Sequence, residues 1–156
     1  MEKLPKNYRF VIYLIILGVG ALWVWVSTAP PGSTTAGEIP APKESFLAPD
    51  FELATLNGET IRLNELRGQP VLINIWASWC APCRAEMPAM QRVFEAYGDQ
   101  GFTILAVNAT NQDSPNQAAD FVQQHQLTFP ILMDISGQVS QAYQVHSLPT
   151  SFFVDS

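Results

Sequence analysis

The chain has 156 residues, a formal net charge of −6, two cysteines and two histidines. This length suits one domain of ordinary size. Lys3, Lys6 and Arg9 crowd the N-terminus, whereas residues 46–156 hold 4 Lys and Arg against 11 Asp and Glu. An acidic domain without a basic stripe argues against nucleic-acid binding, so we expect no nucleic-acid partner.

An uncharged apolar run occupies residues 10–26. As a helix it would span about 25 Å, near the lower limit for crossing a bilayer. Trp23 and Trp25 lie at one end, where amphipathic rings favour the membrane–water boundary. The three basic residues before the run predict that residues 1–9 are cytoplasmic and that the rest of the chain is extracytoplasmic. We therefore predict a single-pass signal-anchor in the cell membrane, with the remainder on the periplasmic side.

A cleavable signal peptide is the alternative interpretation of this run. Ser27-Thr28-Ala29 offers the small residues of a cleavage site, but Pro30 and Pro31 follow at once and should obstruct it. Both interpretations place the later cysteines outside the cytoplasm. Residues 27–45 contain four prolines and almost no large apolar side chain, which predicts an extended linker.

Residues 46–156 alternate between predicted strands and predicted helices. The first elements in chain order are a β-hairpin over 51–63 with the turn Asn57-Gly58, a buried strand over 71–76 and a helix with Pro82 early and Gly98 at its end. A strand over 102–109 and a helix from Ser114-Pro115 to His125 follow. The last elements are a strand over 129–133, a short helix over 138–143 and a final strand over 150–154. This order implies a mainly parallel sheet with helices on its faces, an α/β fold.

Cys80 and Cys83 are the only cysteines, and they lie where the helix after the buried strand begins. A helix N-terminus presents free N–H groups and a positive dipole end. Such an environment can lower a cysteine pKa from about 8.5 into the range of about 3.5 to 7.5. The spacing also lets the second thiol resolve a mixed disulfide. The pair therefore predicts a redox-active disulfide.

Other uses of two cysteines fit this sequence less well. A structural disulfide across so short a loop would remove little chain entropy. Zinc needs four ligands, whereas the chain offers two cysteines and two distant histidines. Arg84 follows Cys83 where covalent haem attachment needs a histidine. We expect neither a metal nor an organic cofactor.

Several further segments carry a family resemblance. They are Ala48-Pro49-Asp50-Phe51, the block from Asn74 to Cys83, Glu86, Pro88 and Ser147-Leu148-Pro149-Thr150. With them, residues 46–156 resemble a thioredoxin-like fold, and more closely the membrane-tethered TlpA/ResA-like thiol-disulfide oxidoreductases. The resemblance implies an N-terminal β-hairpin and a central αβ insert between Ser114 and Met133. It also implies a further C-terminal strand and helix, so we expect that this chain is C-terminally incomplete.

The resemblance also implies a role for each residue of the matching motifs. Cys80 would be the exposed nucleophile, Cys83 the buried resolving thiol, and Trp79 would pack beside them. Pro149 would be a cis-proline that faces the pair and lets the backbone of Leu148 bind a substrate strand. The alternative for Pro149 is an ordinary loop proline.

Glu86 is the predicted proton-exchange group. It lies three residues after Cys83, nearly one helical turn on, and can approach the pair from below. The alternative is a solvated charge on an outer helix face. Asn74 stands where the resemblance would place a buried aspartate in plain thioredoxin. An amide cannot transfer a proton as a carboxylic acid does, which favours Glu86 for that task.

The predicted function is that of an enzyme, an extracytoplasmic thiol-disulfide oxidoreductase that reduces disulfides in partner proteins. By resemblance, the partner would be apocytochrome c before haem attachment or another extracytoplasmic protein, and a membrane thiol reductant would restore the dithiol. One alternative is a disulfide-forming oxidase, because the motif alone does not fix the direction. Two others are a thiol peroxidase, prompted by residues 48–51, and a non-catalytic tethered binding module.

Overall fold

The computed structural model describes residues 16–19, 22–23 and 47–155. The chain divides into two units, Met1–Ile39 and Pro40–Ser156. In the first unit the described residues are helical. Within the described parts of the chain, no helix is long and apolar enough to cross a membrane. Most of the predicted membrane segment and the whole predicted linker lie outside the described residues, so both stay predictions.

The second unit contains a two-stranded hairpin and a four-stranded sheet. The strands are β1 (Glu52–Ala54), β2 (Thr60–Arg62), β3 (Val71–Trp76), β4 (Thr103–Asn108), β5 (Ile131–Met133) and β6 (Thr150–Val154). β1 and β2 pair antiparallel as the hairpin. The sheet has the order β5-β4-β3-β6, with β3, β4 and β5 parallel and β6 antiparallel to β3. The predicted hairpin and mainly parallel sheet are confirmed.

Three α-helices accompany the sheet. They are α1 (Ala81–Tyr97), α2 (Pro115–Gln124) and α3 (Gln138–Ala142). Both α1 and α2 have a proline in the first turn, where the fixed proline φ suits the helix and a missing N–H costs little. A helix and a strand, α2 and β5, lie between Ser114 and Met133, where the resemblance implies an αβ insert. The thioredoxin-like α/β fold is confirmed for the described residues.

β3 separates two hydrophobic cores, because its successive side chains point to opposite faces of the sheet. All six of its residues are buried. Ile73 and Ile75 belong to a core that also contains residues of the hairpin and α3. Leu72 and Trp76 belong to the core beneath α1 and α2. Asn74 therefore points to the face on which α1 lies.

β6 forms one edge of the sheet as described. Its residue Phe153 is 82% exposed. The strand and helix that the resemblance implies would follow residue 156, so that expectation stays a prediction.

Candidate active site

The two cysteines lie at the junction of β3 and α1, at the carboxyl end of the central strand. Cys80 is the N-cap residue of α1, and its Sγ accepts a hydrogen bond from the backbone N–H of Cys83 at 3.3 Å. Pro82 occupies the first turn. The sulfur of Cys80 thus lies at the positive end of the helix dipole, where a thiolate is stabilised. This is the local structure that the sequence predicts.

Cys80 and Cys83 form a disulfide with a Cα–Cα distance of 5.3 Å. Cys83 is fully buried, and Cys80 is only 4% exposed. The predicted exposure of Cys80 is therefore wrong for the disulfide form. The bond directs the Cys80 sulfur toward Cys83, and both residues belong to the core beneath α1 and α2. The predicted burial of Cys83 is confirmed.

Glu86 lies on the sheet-facing side of α1 and is half-buried. Its Oε1 accepts a hydrogen bond of 2.8 Å from Nδ2 of Asn74, which is itself fully buried on β3. The same Nδ2 donates to Oγ of Ser151 at 3.0 Å. The outer, solvated position is therefore wrong for Glu86, and the inward orientation that proton exchange requires is present.

Asn74 makes these contacts with its donor atoms only. Its Oδ1 is buried and has no hydrogen-bond partner among the described residues. An ionised carboxylate can only accept hydrogen bonds, so the NH₂ group is the half of the Asn74 amide that must face Glu86. Among the described residues, this bond engages Oε1 of Glu86 and leaves Oε2 without a hydrogen-bond partner.

Pro149 precedes β6 at the same end of the sheet as the disulfide. The Leu148–Pro149 peptide bond is cis, as predicted. Thr150 pairs with Ile75, which brings Pro149 level with the last residue of β3. Leu148 packs against the core that contains both cysteines. The role of this segment in binding a substrate strand stays a prediction.

Trp79 is held beside the disulfide by one polar contact. Its indole Nε1 donates to the backbone carbonyl of Gln112 at 2.9 Å, while the residue remains 57% exposed. The hydrogen bond fixes the ring at the surface next to Cys80. A large exposed aromatic side chain with a fixed orientation is suited to contact a bound partner.

Asp113 is a site residue that the sequence analysis did not identify. Its carboxylate accepts hydrogen bonds from the backbone N–H and the hydroxyl of Ser78, both at 2.6 Å. It also accepts from Nδ2 of Asn108 at 2.7 Å and from the backbone N–H of Ser114 at 2.8 Å. Burial raises the pKa of Asp113, but these hydrogen bonds outweigh it and leave the pKa below its ordinary value.

The contacts of Asp113 connect three parts of the site. Ser78 belongs to the turn before the disulfide, Asn108 ends β4, and Ser114 is the N-cap residue of α2. The sequence offers one signal for it, since an acidic residue just before Ser114-Pro115 is typical of a helix start. Nothing in the local sequence relates it to Ser78.

The described residues contain no group of three or more His, Cys, Asp and Glu side chains that could hold a metal ion.

Comparisons with known proteins agree on one family. The model of the AhpC/TSA family matches residues 47–156. The chain is 44% identical over 114 residues to the thioredoxin-like protein YneN of Bacillus subtilis, covering 72% of this chain and 66% of that protein. It is 33% identical over 155 residues to the thiol-disulfide oxidoreductase ResA of Bacillus thuringiensis, covering 99% and 84%.

A solved structure gives the same result. The chain superposes with a TM-score of 0.64 and 36% identity on a Chlorobium tepidum protein assigned as the thiol:disulfide interchange protein DsbE, covering 69% of this chain and 74% of that one. The chain spans just under two thirds of the length of the Bacillus subtilis relative. From the family match and the ResA match together, the chain belongs to the thioredoxin-like AhpC/TSA family and, within it, to the ResA-like proteins.

Proposed function

We propose that this protein is a thiol-disulfide oxidoreductase that reduces disulfides in partner proteins. The observation that carries the proposal is the Cys80–Cys83 disulfide at the start of α1, with Cys80 as the N-cap residue. The names of its relatives, thiol-disulfide oxidoreductase and thiol:disulfide interchange protein, support the reaction class.

In the proposed reaction the protein begins as the dithiol. The Cys80 thiolate attacks one sulfur of a substrate disulfide, and the other substrate sulfur leaves as a thiolate and takes up a proton. The Cys83 thiol loses its proton and attacks Sγ of Cys80, which expels the first substrate sulfur as a thiolate that likewise takes up a proton. The substrate gains two electrons and two protons, and the protein is left with the Cys80–Cys83 disulfide. A dithiol reductant then restores the starting state by the reverse exchange.

Glu86 would act in the proton steps of this sequence. It lies one helical turn after Cys83 on the sheet-facing side of α1, and among the described residues its Oε2 has no hydrogen-bond partner. A carboxylate in that position can accept the proton of the Cys83 thiol as this thiol becomes a nucleophile. Leu148 and Pro149 would hold the substrate strand beside Cys80, and Trp79 would contact it from the opposite side.

We further propose that residues 10–26 anchor the protein in the cell membrane, with residues 1–9 in the cytoplasm and the cysteines outside. The basic N-terminus and the uncharged apolar run support this placement. The substrate would then be an extracytoplasmic polypeptide, and apocytochrome c before haem attachment is our proposal by family resemblance. The reductant would be a membrane thiol protein.

The direction of electron flow can be tested by the reduction potential of the purified full chain. We expect a value near that of thioredoxin, about −270 mV, because a reductase must give up its electrons readily. A value near about −120 mV, that of a strong disulfide-forming oxidase, would overturn the reductase proposal.

The substrate and the donor can be identified by trapping. In a Cys83→Ser variant, Cys80 can still form a mixed disulfide but no thiol can resolve it. We expect covalent complexes with extracytoplasmic proteins that disappear on reduction. The Cys80→Ser variant is the matched control and should trap none. Complexes of equal amount in both variants would contradict Cys80 as the nucleophile.

A further inference from the structure

A cleft of about 290 Å³ flanks the disulfide on the side of α2. Ser78, Trp79 and Arg84 form one wall. The first two immediately precede Cys80, and Arg84 immediately follows Cys83. Whatever binds in this cleft is therefore adjacent to the reacting sulfurs. Of its lining residues, only Trp79 has a place in the steps proposed above.

The opposite wall is one face of α2. Gln117, Asp120 and Gln124 line it at spacings of three and four residues, which place them on the same side of a helix. Phe121 lies between them and is buried, with the guanidinium carbon of Arg84 at 5.4 Å from its ring centroid. The cleft thus has an aromatic floor and polar walls.

The polar groups of these walls match a peptide chain better than a charged ligand. Arg84 contributes one positive and Asp120 one negative charge, so the lining is neutral in sum. Gln117 and Gln124 each offer a donor and an acceptor, the combination that pairs with a backbone N–H and C=O. Trp79 offers an exposed ring face to a side chain.

We propose that this cleft is a second substrate subsite, which binds the polypeptide segment next to the disulfide that Cys80 attacks. This inference rests on the proposed reductase function and adds a second binding region to it: one face of α2 holds the substrate residues that flank the attacked disulfide. The carboxamides of Gln117 and Gln124 hold the backbone of that segment, and the exposed ring of Trp79 contacts one of its side chains.

The test uses two disulfide peptides and the reduced full chain in detergent. One peptide is a small disulfide loop with five neutral residues on each side of it, and the other is the same loop without those flanks. We expect the KM of the wild type to be about tenfold lower for the flanked peptide, because only this peptide can make the two hydrogen bonds and the side-chain contact of the subsite. The double variant Gln117→Ala/Gln124→Ala should lose this difference, with kcat and the unflanked KM unchanged.

Gln123→Ala is the matched control, because Gln123 is an exposed glutamine of α2 outside the cleft lining. It should retain the wild-type preference for the flanked peptide. A preference that survives in the double variant, or a KM that rises equally for both peptides, would overturn the subsite. If the wild type reduces neither peptide, the reductase function itself fails, and the subsite falls with it.

A second measurement does not depend on the glutamine variants. In Cys83→Ser protein carrying the flanked peptide as a mixed disulfide, the indole N–H resonance of Trp79 should shift relative to protein carrying the unflanked loop. Identical resonances in the two adducts would contradict the proposal. The shift is expected because the flank would lie against the ring, whereas the unflanked loop ends at the disulfide.

Discussion

Asp113 and Glu86 are two of the carboxylates around the disulfide, and they are hydrogen-bonded in very different ways. Asp113 accepts four hydrogen bonds, which use both of its oxygens. Among the described residues Glu86 accepts one, from Asn74, through Oε1. A carboxylate whose oxygens are all engaged is held in its ionised form and connects the groups that donate to it. A carboxylate with a free oxygen can exchange a proton. The hydrogen-bond count thus separates a structural acid from a candidate catalytic one.

The largest effect should follow from Glu86→Gln. The amide oxygen can still accept from Asn74, but the side chain can no longer exchange a proton. We expect the rate of peptide-disulfide reduction to fall about a hundredfold, equivalent to about 2.7 kcal/mol of barrier, with little change in stability. Stopped-flow tryptophan fluorescence measures the rate.

Glu95→Gln is the matched control for this variant. Glu95 lies on the same helix and also accepts one amide hydrogen bond, from Gln91 at 2.9 Å, but it is two further turns from the cysteines. Its rate should stay at the wild-type value. Equal rates of disulfide reduction in Glu86→Gln and Glu95→Gln would contradict the proposed catalytic role of Glu86.

The second-largest effect is expected for the substitution Asp113→Ala. This change leaves the N–H and hydroxyl of Ser78, the amide of Asn108 and the N–H of Ser114 without their acceptor. We expect the free energy of unfolding to fall by about 2 kcal/mol, a value kept moderate because water can reach this half-exposed site. Urea denaturation measures it. Asp99→Ala, an exposed acid in a short 3₁₀ turn, should change stability by less than about 0.5 kcal/mol.

A smaller effect should follow from Ser151→Ala. It removes one acceptor of Asn74 and leaves the bond to Glu86 in place. Because Ser151 is exposed, water can take over its role, and we expect a loss of about 0.5 kcal/mol in the free energy of unfolding. The reduction rate should fall far less than in Glu86→Gln. A rate loss as large would mean that Ser151, not the carboxylate, limits the proton step.

The smallest expected effect is on the acid sensitivity of the fold. The pKa of Asp113 is lowered in the folded protein, so its stabilising contribution is present above its unfolded pKa of about 3.9. That contribution is lost as the pH falls through the lower folded pKa. Asp113→Asn cannot titrate and should therefore lose less stability than the wild type between about pH 5 and pH 2. Identical pH profiles of urea unfolding would show that Asp113 is not bound as described.

Much of this fold could be predicted because its signals are local. The apolar run of β3 predicts a strand covered on both faces, and the prolines at 82 and 115 indicate helix starts. The disulfide could also be predicted from a local signal, because Cys80 and Cys83 are three residues apart at the start of α1. The cis bond before Pro149 came only from the family resemblance.

The parts that were missed depend on contacts between distant segments. Ser78 and Asp113 are 35 residues apart, and no periodic pattern connects a turn after one strand with a turn after the next. The burial of Cys80 is a second case, because its exposure depends on the bond to Cys83 and on the core beneath the helix. The cleft beside Trp79 likewise exists only once α2 packs against α1.

Successive side chains of β3 point to opposite faces of the sheet, so the position of the site residue Asn74 depends on the packing of its neighbours in the core. Asn74 reaches Glu86 only because Ile73 and Ile75 on either side of it point into the opposite core. A one-residue slip of this strand would turn Asn74 away from α1 and move both isoleucines out of their core. The contact between Asn74 and Glu86, on which the proposed proton exchange depends, therefore has the same requirement as a stable core: the register of β3. A variant in which this strand slips should fail to fold, so the loss of its chemistry would not be observed separately.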